Sequence, residues 1–250
     1  MRIYAATDIG KKRPVNEDCL AAVEKPVGPL DNLMIIADGM GGHKAGDFAS
    51  RYLVDHFTEA VSASAVSSPI RVIREALEKV NRELFRISLE RDECKGMGTT
   101  IVAGTTSGGL LYAANVGDSR LYLIRSGRIR QITRDHSYVE EMVEKGQMSR
   151  GSDSYRRSKN IITRAVGINR TVECDFFEEE LQEGDRILLC SDGLTNMLSD
   201  AEILAIAEEP TDLKQRVEKM IHLANEHGGR DNISVILAEP ETKEVNRHDA

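Results

Sequence analysis

The chain has 250 residues, 40% of them hydrophobic, and 33 Lys and Arg against 41 Asp and Glu give it a net charge of −8. That length suits one large domain or two small ones, and the acidic balance argues against general binding to nucleic-acid backbones. No apolar run reaches the roughly 18 residues that cross a bilayer, and the opening Met1–Asp18 lacks the apolar segment of a secretion signal, so the chain reads as cytoplasmic and free of the membrane.

In chain order, β-rich runs are expected around 4–8, 33–37, 99–105, 110–116, 121–125, 176–180, 186–191 and 233–238. Gly-bearing turns in TTSGGLLY and LIRSGRIR join neighbouring runs into antiparallel hairpins. A helix should begin near Ala45 and bury Phe48, Tyr52, Leu53 and Phe57. Pro69 opens a long amphipathic helix to Glu90, striped by Ile70, Ile73, Leu77, Val80, Leu84 and Ile87. Ser199 with Glu202 forms a capping-box pattern, and Leu213, Val217, Met220, Ile221 and Ala224 stripe a last helix. Hairpins grouped together with helices in separate blocks indicate an α+β fold. The polar end, residues 241–250, reads as a frayed tail. Cys19, Cys94, Cys174 and Cys190 form no CxxC pair and read as reduced thiols.

Three apolar runs carry Asp beside Gly at their ends: Asp38–Gly39, Gly117–Asp118 and Asp192–Gly193. Each alone fits an ordinary turn. Together with Glu17, Asp18 and Asp231, which also flank apolar runs, they suggest carboxylates converging at strand ends. Ionised carboxylates crowded in a cleft must take up protons or cations. An all-oxygen set selects a hard ion such as Mg²⁺ or Mn²⁺. Glycine after Asp38 lets a backbone carbonyl approach the ion without Cβ interference.

The ordered segments RPVNED (Arg13 to Asp18), ADGMGGHKAGDFAS (Ala37 to Ser50), GTTIVAG, ANVGDSRLYLIR, ITRDHSYV, NIITRAVG, LLCSDGLTNML and GGRDNISVIL resemble the metal-dependent protein phosphatase family, type 2C, in a compact bacterial form. The resemblance runs from Met1 to about Ala238. It implies a single catalytic domain over residues 1–240, built as a central sandwich of two antiparallel β-sheets flanked by helices on both faces. It also implies hydrolysis of phosphoserine and phosphothreonine in proteins by a metal-activated water, with two or three Mn²⁺ or Mg²⁺ ions. By motif matching, Asp38 bridges two ions and the Gly39 carbonyl ligates one. Asp192 and Asp231 ligate the other, and Asp118 with Asp192 holds a third, weaker ion. Glu17, Asp18 and Asn232 act next to the ions or through water, and Arg13 holds the substrate phosphate. The expected partners are phosphorylated proteins, a Ser/Thr kinase among them, with the enzyme a monomer.

The sequence departs from the family in two places. Met40 stands where many eukaryotic members have a histidine; His43, three residues later, is a candidate general acid. The flap, about residues 145–162, reads GQMSRGSDSYRRSKN before NIITRAVG. Its basic residues Arg150, Arg156, Arg157 and Lys159, four serines and lack of an apolar stripe suggest a mobile loop. His136 and Asp135 read as structural polar residues near a helix start. Two alternatives stay open: an inactive domain that binds phosphoproteins or a regulator, and a phosphatase of small or phosphotyrosine esters. Loss of a metal carboxylate would mark the first, and none is lost.

Overall fold

The computed structural model describes residues 1–41 and 45–241. His43 and residues 242–250 of the polar tail lie outside them. In chain order the elements are β1 (Arg2–Asp8), β2 (Asp18–Val23), β3 (Leu33–Met40), α1 (Ala45–Ser62), α2 (Pro69–Glu90), β4 (Gly98–Thr99), β5 (Ile101–Ser107), β6 (Leu110–Val116), β7 (Arg120–Arg125), β8 (Arg128–Gln131), α3 (Tyr138–Glu144), α4 (Asp153–Ser158), β9 (Asp175–Glu180), β10 (Arg186–Cys190), α5 (Asp192–Thr195), α6 (Asp200–Ala207), α7 (Leu213–Glu226) and β11 (Ile233–Glu239).

The strands form two antiparallel sheets. One has the order β1-β11-β10-β7-β8; the other has the order β2-β3-β5-β6-β9, with β4 added beside β3. Strand alternation explains how they stack. In β3, Leu33, Ile35 and Ala37 face α1 and α2, while Met34 and Ile36 face the second sheet. Val102, Leu111, Leu121, Leu123, Ile187, Leu189 and Ile236 complete the layer between the sheets. On the far side, Tyr122, Leu188, Cys190 and Val235 meet Ile203, Val217, Met220 and Ala224 of α6 and α7. The order is therefore helix, sheet, sheet, helix, as the resemblance implied.

The helical stripes hold. Ile73, Leu77, Val80, Leu84 and Ile87 of α2 are buried, and Ser199 and Glu202 make the reciprocal capping box at α6. In α1, Leu53 and Phe57 are buried, but Phe48 and Tyr52 are only half-buried against the same core. The four cysteines are free.

Three local differences matter for the site. First, β3 does not stop at Asp38; it continues because Gly39 and Met40 pair with Thr99 and Gly98 of β4. Second, Asp18 to Val23 forms an edge strand whose Asp18 lies opposite Asp38. Third, the stretch before Asn160 is not a featureless loop. Ser152 caps the short helix α4, and Arg150 and Tyr155 both bond the Glu140 carboxylate of α3, at 2.5 and 2.7 Å.

Candidate active site

One end of the sandwich opens into a cleft of about 240 Å³ lined by Arg13, Glu17, Asp38, Gly39, Met40, Gly41, Thr100, Asp118, Asn160, Ile162, Asp192, Asp231 and Asn232. Both sheets contribute. Asp38 comes from β3, and Asp118 from the turn by which the chain crosses from β6 in one sheet to β7 in the other. Asp192 follows β10 and Asp231 precedes β11. A larger cleft of about 560 Å³ lies around Arg2, Asp185, Arg186 and Glu239. Its Asp185 and Glu239 are bonded to arginines, Asp185 to Arg125 and Glu239 to Arg2, Arg186 and Arg216.

Glycine makes the first cleft possible by giving room. A Cβ on Gly39 would overlap the Gly46 carbonyl at the start of α1, and one on Gly193 would overlap the Asn232 carbonyl. Neither residue has a positive φ. The glycine that follows each of these aspartates is thus a close approach of two backbones, which brings α1 against β3 and the start of α5 against the entry to β11.

The carboxylates feel one another strongly. Burial pushes Asp18 up to about 7, with the Asp192 and Asp231 charges adding to the rise and hydrogen bonds from Ser234 and Ser191 opposing it. Asp38 is held well above the ordinary range, first by burial and then by the charges of Asp18, Asp192, Asp118 and Asp231. Burial, then the Asp192 charge, lifts Asp118 to about 8. Asp192 rises to about 6 from burial and the Asp231 charge. Glu17 is raised by burial against the pull of Arg13. Five aspartates from distant parts of the chain therefore share one electrostatic site.

Two buried oxygens in it have no hydrogen-bond partner: Asp18 Oδ1 and Asp192 Oδ1. The second oxygen of each is held. Ser191 and Ser234 Oγ donate to Asp18 Oδ2 at 2.8 and 2.7 Å, and Asn196 Nδ2 donates to Asp192 Oδ2 at 2.8 Å. Arg13 donates to Asp231 Oδ2 at 2.8 Å. Among the described residues no three His, Cys, Asp or Glu side chains are gathered tightly enough to cage an ion by themselves. Orphaned carboxylate oxygens, mutual repulsion and an all-oxygen set of ligating side chains fit a divalent ion; among the described residues no thiol or imidazole lines the cleft.

Several expected residues take more exact places. Asn232 lines the cleft, yet its side-chain amide is spent on backbone: it accepts from Glu17 N and donates to the Ile9 and Val15 carbonyls. It shapes the loop that carries Arg13 and Glu17. Asp18 is fixed by two serines that sequence reasoning missed, although Ser191 stands next to Asp192 and Ser234 closely follows Asp231. Thr100 was also missed; it accepts from Asp38 N at 2.9 Å and bonds Ser119 at 2.8 Å. His136 is buried and its Nδ1 accepts from Gly117 N at 3.1 Å, so it braces the turn before Asp118. Asp135 receives three hydrogen bonds from Arg120 and is structural.

Comparison with known proteins adds an independent finding. The protein phosphatase 2C family model matches residues 10–238. The chain is 38% identical over 247 residues to serine/threonine phosphatase stp of Listeria monocytogenes, covering 96% of each. It is 36% identical over 242 residues to protein phosphatase PhpP of Streptococcus pneumoniae, covering 95% of this chain and 96% of that one. The solved serine/threonine phosphatase of S. agalactiae superposes with a TM-score of 0.89 at 39% identity, over 96% of this chain and 99% of that one.

Proposed function

The chain belongs to the protein phosphatase 2C family, and from that premise we propose that the cleft around Asp38 removes phosphate from phosphoserine and phosphothreonine in proteins. The enzyme is a metal-dependent hydrolase of phosphoprotein substrates. The observation that carries the assignment to this cleft is the mutual charge of Asp18, Asp38, Asp118, Asp192 and Asp231 at the one end where both sheets contribute.

Asp38, the Gly39 carbonyl, Asp192 and Asp231 would hold two divalent ions, Mn²⁺ or Mg²⁺, and Asp118 with Asp192 a third. Bound there, such ions neutralise phosphoryl oxygens and acidify water near neutral pH. The chain's own groups supply the rest. Asp18, pinned by Ser191 and Ser234, and Glu17, set against the first turn of α1, orient water at the edge of the site. Arg13 stands at the mouth with a side chain 46% exposed; its planar fork offers paired donors to a phosphate, which lysine would not match. The Asp231 carboxylate aims that fork into the cleft. His43 remains the candidate proton donor to the leaving group. The natural setting of this reading is a monomer in the cytoplasm, with its catalytic domain over residues 1–240, opposing a Ser/Thr kinase.

The test is hydrolysis of a phosphothreonine peptide and of an aryl phosphate with Mn²⁺, Mg²⁺ or chelator. Asp38→Asn and Asp231→Asn should each abolish turnover of both while the folded spectrum is retained, because charge is removed without volume. Hydrolysis persisting in chelator, with metal content verified as nil, would overturn the reading.

A further inference from the structure

Beside the cleft lies a second cavity of about 180 Å³ that shares Asp118 and Asp192 with it and is closed by Tyr155, Lys159 and Asn196. Lys159 is half-buried at the end of α4, in the segment that Arg150 and Tyr155 tie to Glu140. Its Nζ donates to Asn196 Oδ1 at 2.5 Å, and Asn196 Nδ2 donates in turn to Asp192 Oδ2 at 2.8 Å. The amide thus passes a lysine's charge toward the carboxylate whose Oδ1 is an orphan. Burial disfavours the ammonium, while the field of Asp192 favours it. The other cations here are committed or remote from the carboxylate pair: Arg120 donates to Asp135 and Tyr122, and Arg13 donates to Asp231. Among the described residues, Lys159's hydrogen-bond partner is a neutral amide; its charge acts on Asp192 together with that of Arg120, while Arg120 is the cation that acts on Asp118.

We propose that Lys159 is a tethered competitor for the cation held between Asp118 and Asp192. The inference rests on the reading that these two aspartates bind a weaker third ion. A divalent cation and an ammonium are not both accommodated beside the same two carboxylates without repulsion, since like charges several ångströms apart in partly buried surroundings oppose each other strongly. Filling the weak site therefore displaces Lys159 from Asn196. The end of α4 is freed when it goes. Divalent-ion concentration then sets the order of the segment that flanks the substrate's path, and the lysine keeps that site weak.

The test is Mn²⁺ binding by calorimetry and by paramagnetic resonance on the full chain, comparing wild type, Lys159→Met and Asp118→Ala. Lys159→Met should tighten the weakest class of site by roughly five- to thirty-fold, the order that one charge-assisted contact partly screened by solvent contributes, with the gain shrinking as salt rises. Amide exchange of residues 153–159 should speed up in wild type between micromolar and millimolar Mn²⁺. In Lys159→Met it should be fast throughout. Weak-site affinity unchanged within twofold in Lys159→Met, while Asp118→Ala abolishes that site, overturns the competition alone. Retention of every site in Asp118→Ala means that no ion is held there, which removes the third-ion reading and the proposal with it.

Discussion

At the scale of single residues, the glycines after the aspartates are the most informative. Gly193 has ordinary φ and no room for a Cβ, because the Asn232 carbonyl occupies that space. Gly193→Ala must push α5 away from the entry to β11, and with it Asp192 from Asp231. Overpacking of this kind costs about 1–3 kcal/mol, which corresponds to a fall in Tm of about 3–10 °C for a domain of this size. Thermal unfolding with and without Mn²⁺ checks it: the loss should be larger with the ion, since the carboxylate spacing is also disturbed. Arg13 behaves differently. Because half its side chain meets solvent, Arg13→Ala should raise KM and lower kcat/KM by only about 1–2 kcal/mol, the low end for a charge-assisted contact. Steady-state kinetics on an aryl phosphate decides this, and loss of bound metal in the mutant would make Arg13 a support for Asp231 instead.

At the scale of elements, the flap is a latched structure. Glu140 is buried in α3 and receives Arg150 and Tyr155 across the segment. Removing the charge leaves the arginine half-satisfied and loosens both anchors at once. Glu140→Gln should therefore raise susceptibility to limited proteolysis within 147–160 by roughly three- to ten-fold, the factor that about 1 kcal/mol of lost local stability produces. Turnover of a phosphopeptide, which must pass the segment, should fall more than that of a small aryl ester. Proteolysis rates and the ratio of the two kcat/KM values measure this. None of the latch was legible beforehand. Its residues are polar, carry no periodicity and meet through tertiary contacts, so the stretch reads as a loop. The long helix α2 was legible to the residue, because a 3.6-residue stripe and Pro69 both speak locally. Strand β2 was invisible for the opposite reason: DCLAAV is short, lies at a sheet edge and alternates weakly. The acids of the site could be listed from their places at the ends of apolar runs. What held them could not, since Ser191, Ser234 and Thr100 are ordinary polar residues until two sheets bring them to Asp18 and Asp38.

At the scale of the molecule, the candidate site crowds carboxylates from two sheets, a repulsion that a bound cation would relieve. In the folded chain Asp18, Asp192 and Asp118 titrate near 7, 6 and 8, against about 3.9 for an unfolded aspartate. Between pH 4 and 8 the native state therefore binds more protons than the unfolded state, and stability falls as pH rises. Chelated protein should melt higher at pH 5.5 than at pH 8. Millimolar Mn²⁺ should raise Tm most at pH 8, where protons compete least for the carboxylates, and Asp118→Asn should flatten the chelated slope. Scanning fluorimetry across that range, with Mn²⁺ or with chelator, reads all three. A chelated Tm that climbs from pH 5.5 to 8 would show that the carboxylates are not crowded in solution.

The pairing of β1 with β11, register Arg2 opposite Glu239 through Asp8 opposite Ile233, has a consequence in time. The first strand made waits for the last, and so do Asp18, whose serine partners are residues 191 and 234, and Arg13, whose partner is Asp231. Closing such long loops is slow and yields no contact until both ends are present. While the chain is still being synthesised, the sheet of β2, β3, β5 and β6 can gather, but its aspartates face a half-built cleft. On the function proposed above, the cleft is complete only once the segment from Asp231 to Glu239 pairs between β1 and β10, so chains that end before Asp231 should show no hydrolysis of an aryl phosphate.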